Sequence, residues 1–291
     1  MFPIPSHYDL VFWTNLEEAK FSVDVSIEVS FHEETSSFKL HQLDLECSST
    51  PTVHINNTSH DLSVETLNSE ECFSFFSPTP LPANQPLTIK LSCKGVLNDK
   101  LCGFYRSCYT HNGETRYIAS TQFEAVDARR AFPCIDDPSK KATFKISCSA
   151  PNKSDFICLS NQPVESITTV DDCTLLYHFE LLPCHPTYLI ALVIGQFEHI
   201  ETKLRDGRPL RLFARPGETS KLEFAMDVAK RSIEWFEDYF DLRYMLNKID
   251  HVAVPNFAFG AMENTGLILY RETCLLADIE SIQSKQRVAM V

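Results

Sequence analysis

Between Phe21 and Phe31 apolar and polar residues take strict turns. Phe21, Val23, Val25, Ile27, Val29 and Phe31 alternate with Ser22, Asp24, Ser26, Glu28 and Ser30. A period of two places all the apolar side chains on one face of an extended chain, so the pattern predicts an antiparallel strand with one buried and one wet face. Shorter runs of the same kind at 38–45, 87–93, 142–148, 157–160 and 175–181 predict further strands. Turns are expected between them at Ser77-Pro-Thr-Pro-Leu-Pro82, Asn98-Asp99 and Pro151-Asn-Lys-Ser154. Many short strands with no long helical period predict a β-sandwich or saddle domain over residues 1–196.

The period changes after Gly195. Asp206-Gly207 predicts a tight turn between strands at 200–203 and 210–214. Ser220-Lys-Leu-Glu223 has the form of a capping box, in which the serine oxygen accepts the Glu223 N–H and the glutamate reaches back. Leu222, Ala225, Met226, Ala229, Ile233, Phe236 and Phe240 follow at three- and four-residue spacings and predict one apolar helix face. Strands are expected at 250–255 and 267–270, around a Gly260–Gly266 turn region, and a second helix at 279–291. The chain is therefore read as mainly β, with a mixed α/β unit over 197–291.

Bulk properties narrow the partners. With 291 residues and 21 phenylalanines the chain can build a sizeable core. Its formal charge of −13 argues against nucleic acid or an anionic membrane, which need clustered Lys and Arg. That charge would suit a cationic substrate such as a peptide with a free amino terminus, although solubility alone also explains it. No run approaches the ~20 apolar residues of a membrane helix. The start, MFPIPSHYDLVF, has neither the basic region nor the long apolar run of a secretory signal. The eleven cysteines are odd in number and scattered, with Cys93, Cys148 and Cys158 in strand-like runs. Free thiols and a cytoplasmic location are expected on that basis.

Two stretches hold candidate chemistry. In Phe259-Gly-Ala-Met-Glu-Asn-Thr-Gly266, Glu263 lies between two glycines, just before the apolar run Leu267–Tyr270. Two readings stand. One is a hairpin turn with a solvated glutamate. The other is a carboxylate beside a strand edge on which a peptide lies, paired with that peptide's terminal ammonium. In Ala119–Pro138 charges crowd among Phe123, Phe132 and Ile135 and need partners if buried. Asp127, Arg129, Arg130, Asp136 and Asp137 are expected to form a structural Asp–Arg network, and Cys134 to be a packing residue; the residues alone leave Glu124 open. None of the ten histidines has another four residues away, so the pairing of a zinc-protease helix is not found. A serine nucleophile elbow and a glycine-rich phosphate loop are also not found.

Taken together, the motifs resemble the M1 (gluzincin) zinc aminopeptidases, most closely the puromycin-sensitive kind. The matching text is Pro5-Ser-His-Tyr-Asp-Leu10, Thr121-Gln-Phe-Glu124, Asp127-Ala-Arg-Arg-Ala-Phe-Pro-Cys134, Lys141-Ala-Thr-Phe144, Gly260-Ala-Met-Glu-Asn264 with Gly266-Leu-Ile and Tyr270-Arg-Glu272, and Lys285-Gln-Arg-Val288. Order and spacing agree over essentially the whole chain. The resemblance implies that 197–291 opens a thermolysin-like catalytic domain. It implies that Glu263 binds the substrate's free amino group, that Glu124 helps hold that amine, that Gly260 and Ala261 contact the peptide backbone, and that Met262 and Asn264 shape the site. Thr265 departs from the family's usual aromatic, Ala125 from its proline, and Ile135-Asp136-Asp137 from its aromatic-Asp-Glu, which bears on side-chain preference. In the family, the helix bearing His-Glu-x-x-His follows the Lys-Gln-Arg-Val match. The 291 residues are therefore expected to be the amino-terminal part of a zinc aminopeptidase: a fragment, a truncated gene product or a splice form. As such they would supply the amine clamp but bind no zinc, and would not hydrolyse peptides. The alternative is a non-catalytic homologue that binds peptides or regulates.

Overall fold

The computed structural model describes residues 1–56 and 58–277. The helix expected at 279–291 and the match at 285–288 lie outside the described residues.

The alternating stretch becomes the strand Lys20–Ser30, whose odd-numbered apolar residues are buried while its polar residues are not. It pairs antiparallel with Ile4–Asn15 and with Leu87–Val96 at the centre of a ten-stranded sheet. Ile4–Asn15 runs parallel to Ala142–Pro151 on its other side, which extends the sheet through Thr174–Phe179 to Val164–Asp171. A three-stranded sheet of Thr35–His41, Cys72–Leu81 and Ser63–Leu67 covers it, and a phenylalanine-rich core fills the space between. Phe38 stacks on Phe75 at 4.9 Å between centroids, and Tyr8 on Phe144 at 4.8 Å.

The turn expected at 77–82 is not a separate loop, because the strand Cys72–Leu81 runs through it. Thr35 pairs with Leu81 but Ser37 pairs with Phe76, so Ser77–Pro80 bulges out of the ladder. Pro78 and Pro80 fit there because a bulge asks for no ladder N–H.

A four-stranded sheet of Gly103–His111, Glu114–Gln122, Leu192–Gln196 and Phe156–Ser160 follows. It shares a buried cluster with a five-stranded sheet, since Tyr105, Ile118 and Val193 of the former meet Val252, Met262 and Leu269 of the latter. The five-stranded sheet has the order Glu198–Lys203, Pro209–Ala214, Ile249–Val254, Leu267–Arg271, Ala261–Met262. The expected turn at Asp206-Gly207 joins its first two strands, with the Gly207 N–H donating to Leu204 O at 2.9 Å. The middle three strands are parallel, so a crossover is required between Pro209–Ala214 and Ile249–Val254. The helix α1 (Glu223–Phe240) supplies it.

Two expectations for α1 fail. Ser220 does not cap it: Thr219–Leu222 forms a 3-10 turn, the helix starts at Glu223, and no side chain caps its first turn. The tight turn carries the chain into the helix, so backbone geometry takes the place of the cap. Phe236 and Phe240 do not face the core either. Ala225, Met226, Ala229 and Ile233 pack on the sheet, but Phe236 is 50% and Phe240 63% exposed. Among the described residues no element covers the last turns of the helix. No described helix is long and apolar enough to cross a membrane.

Candidate functional site

The Gly260–Gly266 segment begins as a short strand. Ala261–Met262 pairs antiparallel with Leu267–Arg271, with Ala261 opposite Tyr270. This corrects the expected edge. Leu267–Tyr270 pairs along one side with Ile249–Val254 and, at Leu269 and Tyr270, with Ala261–Met262 on the other, and Ala261–Met262 ends the sheet among the described residues. Side chains then alternate as in a strand: Ala261 and Glu263 are exposed, while Met262 and Asn264 are buried. Met262 anchors in the shared core, and the Asn264 carbonyl accepts the Leu267 N–H at 3.1 Å to turn the chain. Gly260 is exposed, and its carbonyl accepts the Arg271 N–H at 3.0 Å. The Arg271 guanidinium donates to the carbonyls of Phe257 and Ala258 at 3.1 and 2.6 Å, tying down the approach to the strand.

Gly266 closes the turn at φ +79°, with the Asn161 carbonyl oxygen 2.1 Å from where a Cβ would stand. That close approach to another chain segment is why only glycine fits. The Asn161 amide donates to the carbonyls of Thr265 and Leu189, both at 2.8 Å, and its side-chain oxygen accepts the Ala191 N–H. The Gly266 N–H donates to the Tyr244 hydroxyl at 2.7 Å.

Beneath the turn lies a buried ionic cluster. Lys248 donates to the carbonyls of Ser160 and Gly266 at 2.7 and 2.6 Å and pairs with Asp250 at 2.8 Å. Arg211 grips both oxygens of Asp250, at 2.8 and 2.7 Å. Burial pushes the Asp250 carboxyl up, but Lys248 and Arg211 outweigh it and hold it below the usual carboxylate range. Burial also lowers Lys248, against the pull of Asp250. The neighbouring His251 is 5% exposed and shares a hydrogen bond of 3.0 Å with the Tyr270 hydroxyl. Burial lowers its imidazole to about 4 and raises the Tyr270 phenol to about 12.

The sequence reading did not single out Lys248, Tyr244 or Asn161. A legible signal was there for the first: Lys248 and Asp250 stand two apart beside an apolar strand, so both point to one face. Nothing in the sequence marks Asn161 as the partner of a turn a hundred residues later.

Glu124 follows the strand Glu114–Gln122 and is exposed, and the peptide joining it to Ala125 is cis. Gln122 lies at the end of the four-stranded sheet formed by Gly103, Leu192 and Ser160, where Gly103 pairs with Gln122 and Ser160 with Leu192. Asn161 leaves that same end to hold Thr265. The Glu124 turn and the Glu263 turn therefore emerge from one end of the two packed sheets. Among the described residues neither carboxylate takes part in the ion pairs of the surrounding charged residues.

The expected Asp–Arg network forms. Arg129 pairs with buried Asp136 at 3.1 Å and with Glu71 at 2.9 Å, and Asp136 accepts the Thr187 hydroxyl at 2.8 Å. Arg130 pairs with Asp127 and Asp44. Asp137 stays outside it, accepting the Ser139 N–H at 2.8 Å because its side chain lies on the solvent side of the turn. Cys134 is fully buried, as a packing residue should be.

Among the described residues no three His, Cys, Asp or Glu side chains gather to hold a metal ion. The described residues therefore do not fit a zinc site. What they do present is the end strand Ala261–Met262 with the exposed Glu263 following it.

Two family models match the chain: the peptidase M1 N-terminal domain over residues 4–189 and the peptidase family M1 domain over residues 224–291. The chain belongs to peptidase family M1. Similar proteins include aminopeptidase M1-A of Oryza sativa subsp. japonica, 39% identical over 298 residues that cover 100% of this chain and 33% of the relative. Glutamyl aminopeptidase of Rattus norvegicus is 35% identical, covering 99% of this chain and 31% of the relative. Puromycin-sensitive aminopeptidase of Caenorhabditis elegans is 35% identical, covering 100% and 31%. The chain thus spans about a third of the length of the curated relatives it matches.

Proposed function

We propose that this chain is the amino-terminal part of a zinc aminopeptidase, and that it binds the free amino terminus of a peptide while groups outside the described residues cut the first peptide bond. The observation that carries the reading is the end strand Ala261–Met262, which presents an open edge and, one residue on, the exposed carboxylate of Glu263. A peptide pairing with Gly260 and Ala261 by backbone hydrogen bonds would bring its ammonium to Glu263. Glu124, from the turn at the same end of the packed sheets, would supply the second carboxylate. Met262 and Asn264, pointing inward, shape the edge without touching the ammonium. Two carboxylates on one ammonium set the register at the first residue. That is what an enzyme removing single amino-terminal residues requires, and the names of the relatives are those of aminopeptidases.

In this reading residues 1–196 form the saddle domain and 197–291 the opening of the thermolysin-like domain. In the whole protein zinc would supply an activated water and polarise the scissile carbonyl, and the residues described here would bind and orient the substrate. A cytoplasmic setting belongs to the same proposal, supported by eleven cysteines none of which is in a disulfide.

The test is binding by the 291-residue chain, measured by fluorescence anisotropy with a labelled peptide whose amino terminus is either free or acetylated. A charge-assisted hydrogen bond contributes about 1.5–3 kcal/mol, so the free peptide should bind roughly ten-fold or more tightly. Glu263→Gln should remove most of that difference and Glu124→Gln part of it. Equal affinity for the two peptides would overturn the proposal. Added zinc should produce no chelator-sensitive release of an amino-terminal residue by this chain.

A further inference from the structure

Cys47 and Cys93 face each other across two paired strands, far along the chain from the substrate edge. Glu46–Cys47 runs antiparallel to Leu87–Val96, with Cys47 opposite Cys93 and Glu46 opposite Lys94. The next pair, Ser48 and Ser92, carries a ladder bond, with the Ser48 N–H donating to Ser92 O at 2.8 Å. Bonded and non-bonded pairs alternate along such a ladder. Cys47 and Cys93 therefore form a non-hydrogen-bonded pair, whose Cα atoms stand about 4.5 Å apart with side chains on one face. A disulfide spans Cα separations of roughly 4.4–6.8 Å. The backbone already holds the two cysteines within bridging distance.

The two thiols differ in access. Cys93 is fully buried in the main core, whereas Cys47 packs on the rim of that core and is partly exposed. The hydrogen bond from Cys93 lowers the Cys47 thiol to about 7 despite its burial, while the same contact and burial push Cys93 up. Cys148 and Cys158 also touch, but both are buried, out of reach of a soluble reagent.

We propose that Cys47 and Cys93 are a redox-active dithiol, a modification site at which a low-molecular-weight disulfide converts the pair to a cross-strand disulfide. The Cys47 thiolate attacks one sulfur of the small disulfide, forming a mixed disulfide and releasing one small thiolate. The Cys93 sulfur then attacks the Cys47 sulfur. The Cys47–Cys93 bond forms, the mixed disulfide breaks, and the departing thiolate takes the Cys93 proton. Two protein thiols are oxidised and one small disulfide is reduced to two thiols. Cys47 is the attacking group because it is the accessible thiolate, and Cys93 resolves because it is already in contact. The bridge closes a loop of roughly 45 residues, which constrains the unfolded chain.

The test uses the reduced 291-residue chain with oxidised glutathione as the probe. Free thiols are counted by maleimide labelling and intact mass, and linked peptides are mapped by non-reducing digestion. The expected product has lost two hydrogens, carries no glutathione, and yields one linked pair, Cys47–Cys93. Its thermal midpoint should rise by about 5–15 °C. Cys93→Ser should stop the sequence at the first step, leaving one glutathione on Cys47, and Cys47→Ser should leave Cys93 unmodified. A lasting glutathione adduct on Cys47 of the unsubstituted chain, a link from Cys47 to another cysteine, or a Cys47 that stays reduced while exposed Cys108, Cys173 and Cys184 react would each overturn the proposal.

Discussion

Gly266 and Gly207 both sit at positive φ, +79° and +87°, yet substitution should separate them widely. At Gly207 nothing lies within 4 Å of a built Cβ, so alanine there costs only the left-handed backbone, about 1–2 kcal/mol. At Gly266 the same Cβ would meet the Asn161 carbonyl at 2.1 Å, and backbone cannot swing aside as a side-chain tip can. Gly266→Ala is expected to cost about 2 kcal/mol beyond Gly207→Ala in denaturant unfolding. Equal losses would show that the Asn161 contact does not lock the turn. Glu263 depends on that lock, since its carboxylate is three residues from the pinned glycine. Glycine at both positions is plain in the sequence, but the neighbour that makes one indispensable is not, because Asn161 comes from a different sheet.

The helix Glu223–Phe240 shows how a correct period can assign a wrong face. Spacings of three and four place Phe236 and Phe240 in line with Ala225, Ala229 and Ile233, and the helix forms where that period predicts. Its first turns lie on the sheet, however, and its last turns run past it. There Trp235, Phe236, Tyr239 and Phe240 stack on one another in solvent, with Leu242 and Met245 exposed beyond them. Exposed apolar clusters mark association surfaces, so the chain is expected to self-associate through this face. Replacing Trp235, Phe236, Tyr239 and Phe240 together by glutamine should shift the chain toward monomer in sedimentation velocity without loss of helix signal. An unchanged sedimentation profile would remove the helix as the cause of self-association. Ser220 is the complementary case. Its hydroxyl caps nothing, so Ser220→Ala should stay within about 0.5 kcal/mol of the parent, below the ~1 kcal/mol typical of a lost cap.

Across the whole molecule stability should fall on the acid side through His251. Its folded value, about 4, is depressed below the ordinary 6.5 by burial beside Tyr270. Between those values the unfolded chain takes up a proton that the folded one refuses. Stability is then fully present above pH 6.5 and is lost as the pH falls toward 4, by about 3 kcal/mol. His251→Leu should flatten that limb of the stability–pH curve, measured by denaturant midpoints. A slope that survives the substitution would assign it elsewhere. Asp250, also held low, acts further down: its contribution stands above its ordinary value of 3.8 and disappears only below it.

Local chemistry was legible in the chain because it is written in neighbours. Alternation at 21–31 specifies a half-buried strand, Asp206-Gly207 a turn, and Gly260-Ala-Met-Glu-Asn264 an acidic residue beside an apolar run. These follow from periods and backbone preferences that act over a few residues. Pairing over long distances was not legible. Leu267–Tyr270 looked like a free edge, and only the fold puts Ala261–Met262 outside it. Lys248 finds Ser160 and Gly266, Cys47 finds Cys93, and Glu124 leaves the same end of the packed sheets as Glu263, because sheets formed by distant segments stack over shared cores. No local period carries that information. Tertiary packing decides it, through the burial of apolar faces and the need of each buried polar group for a partner.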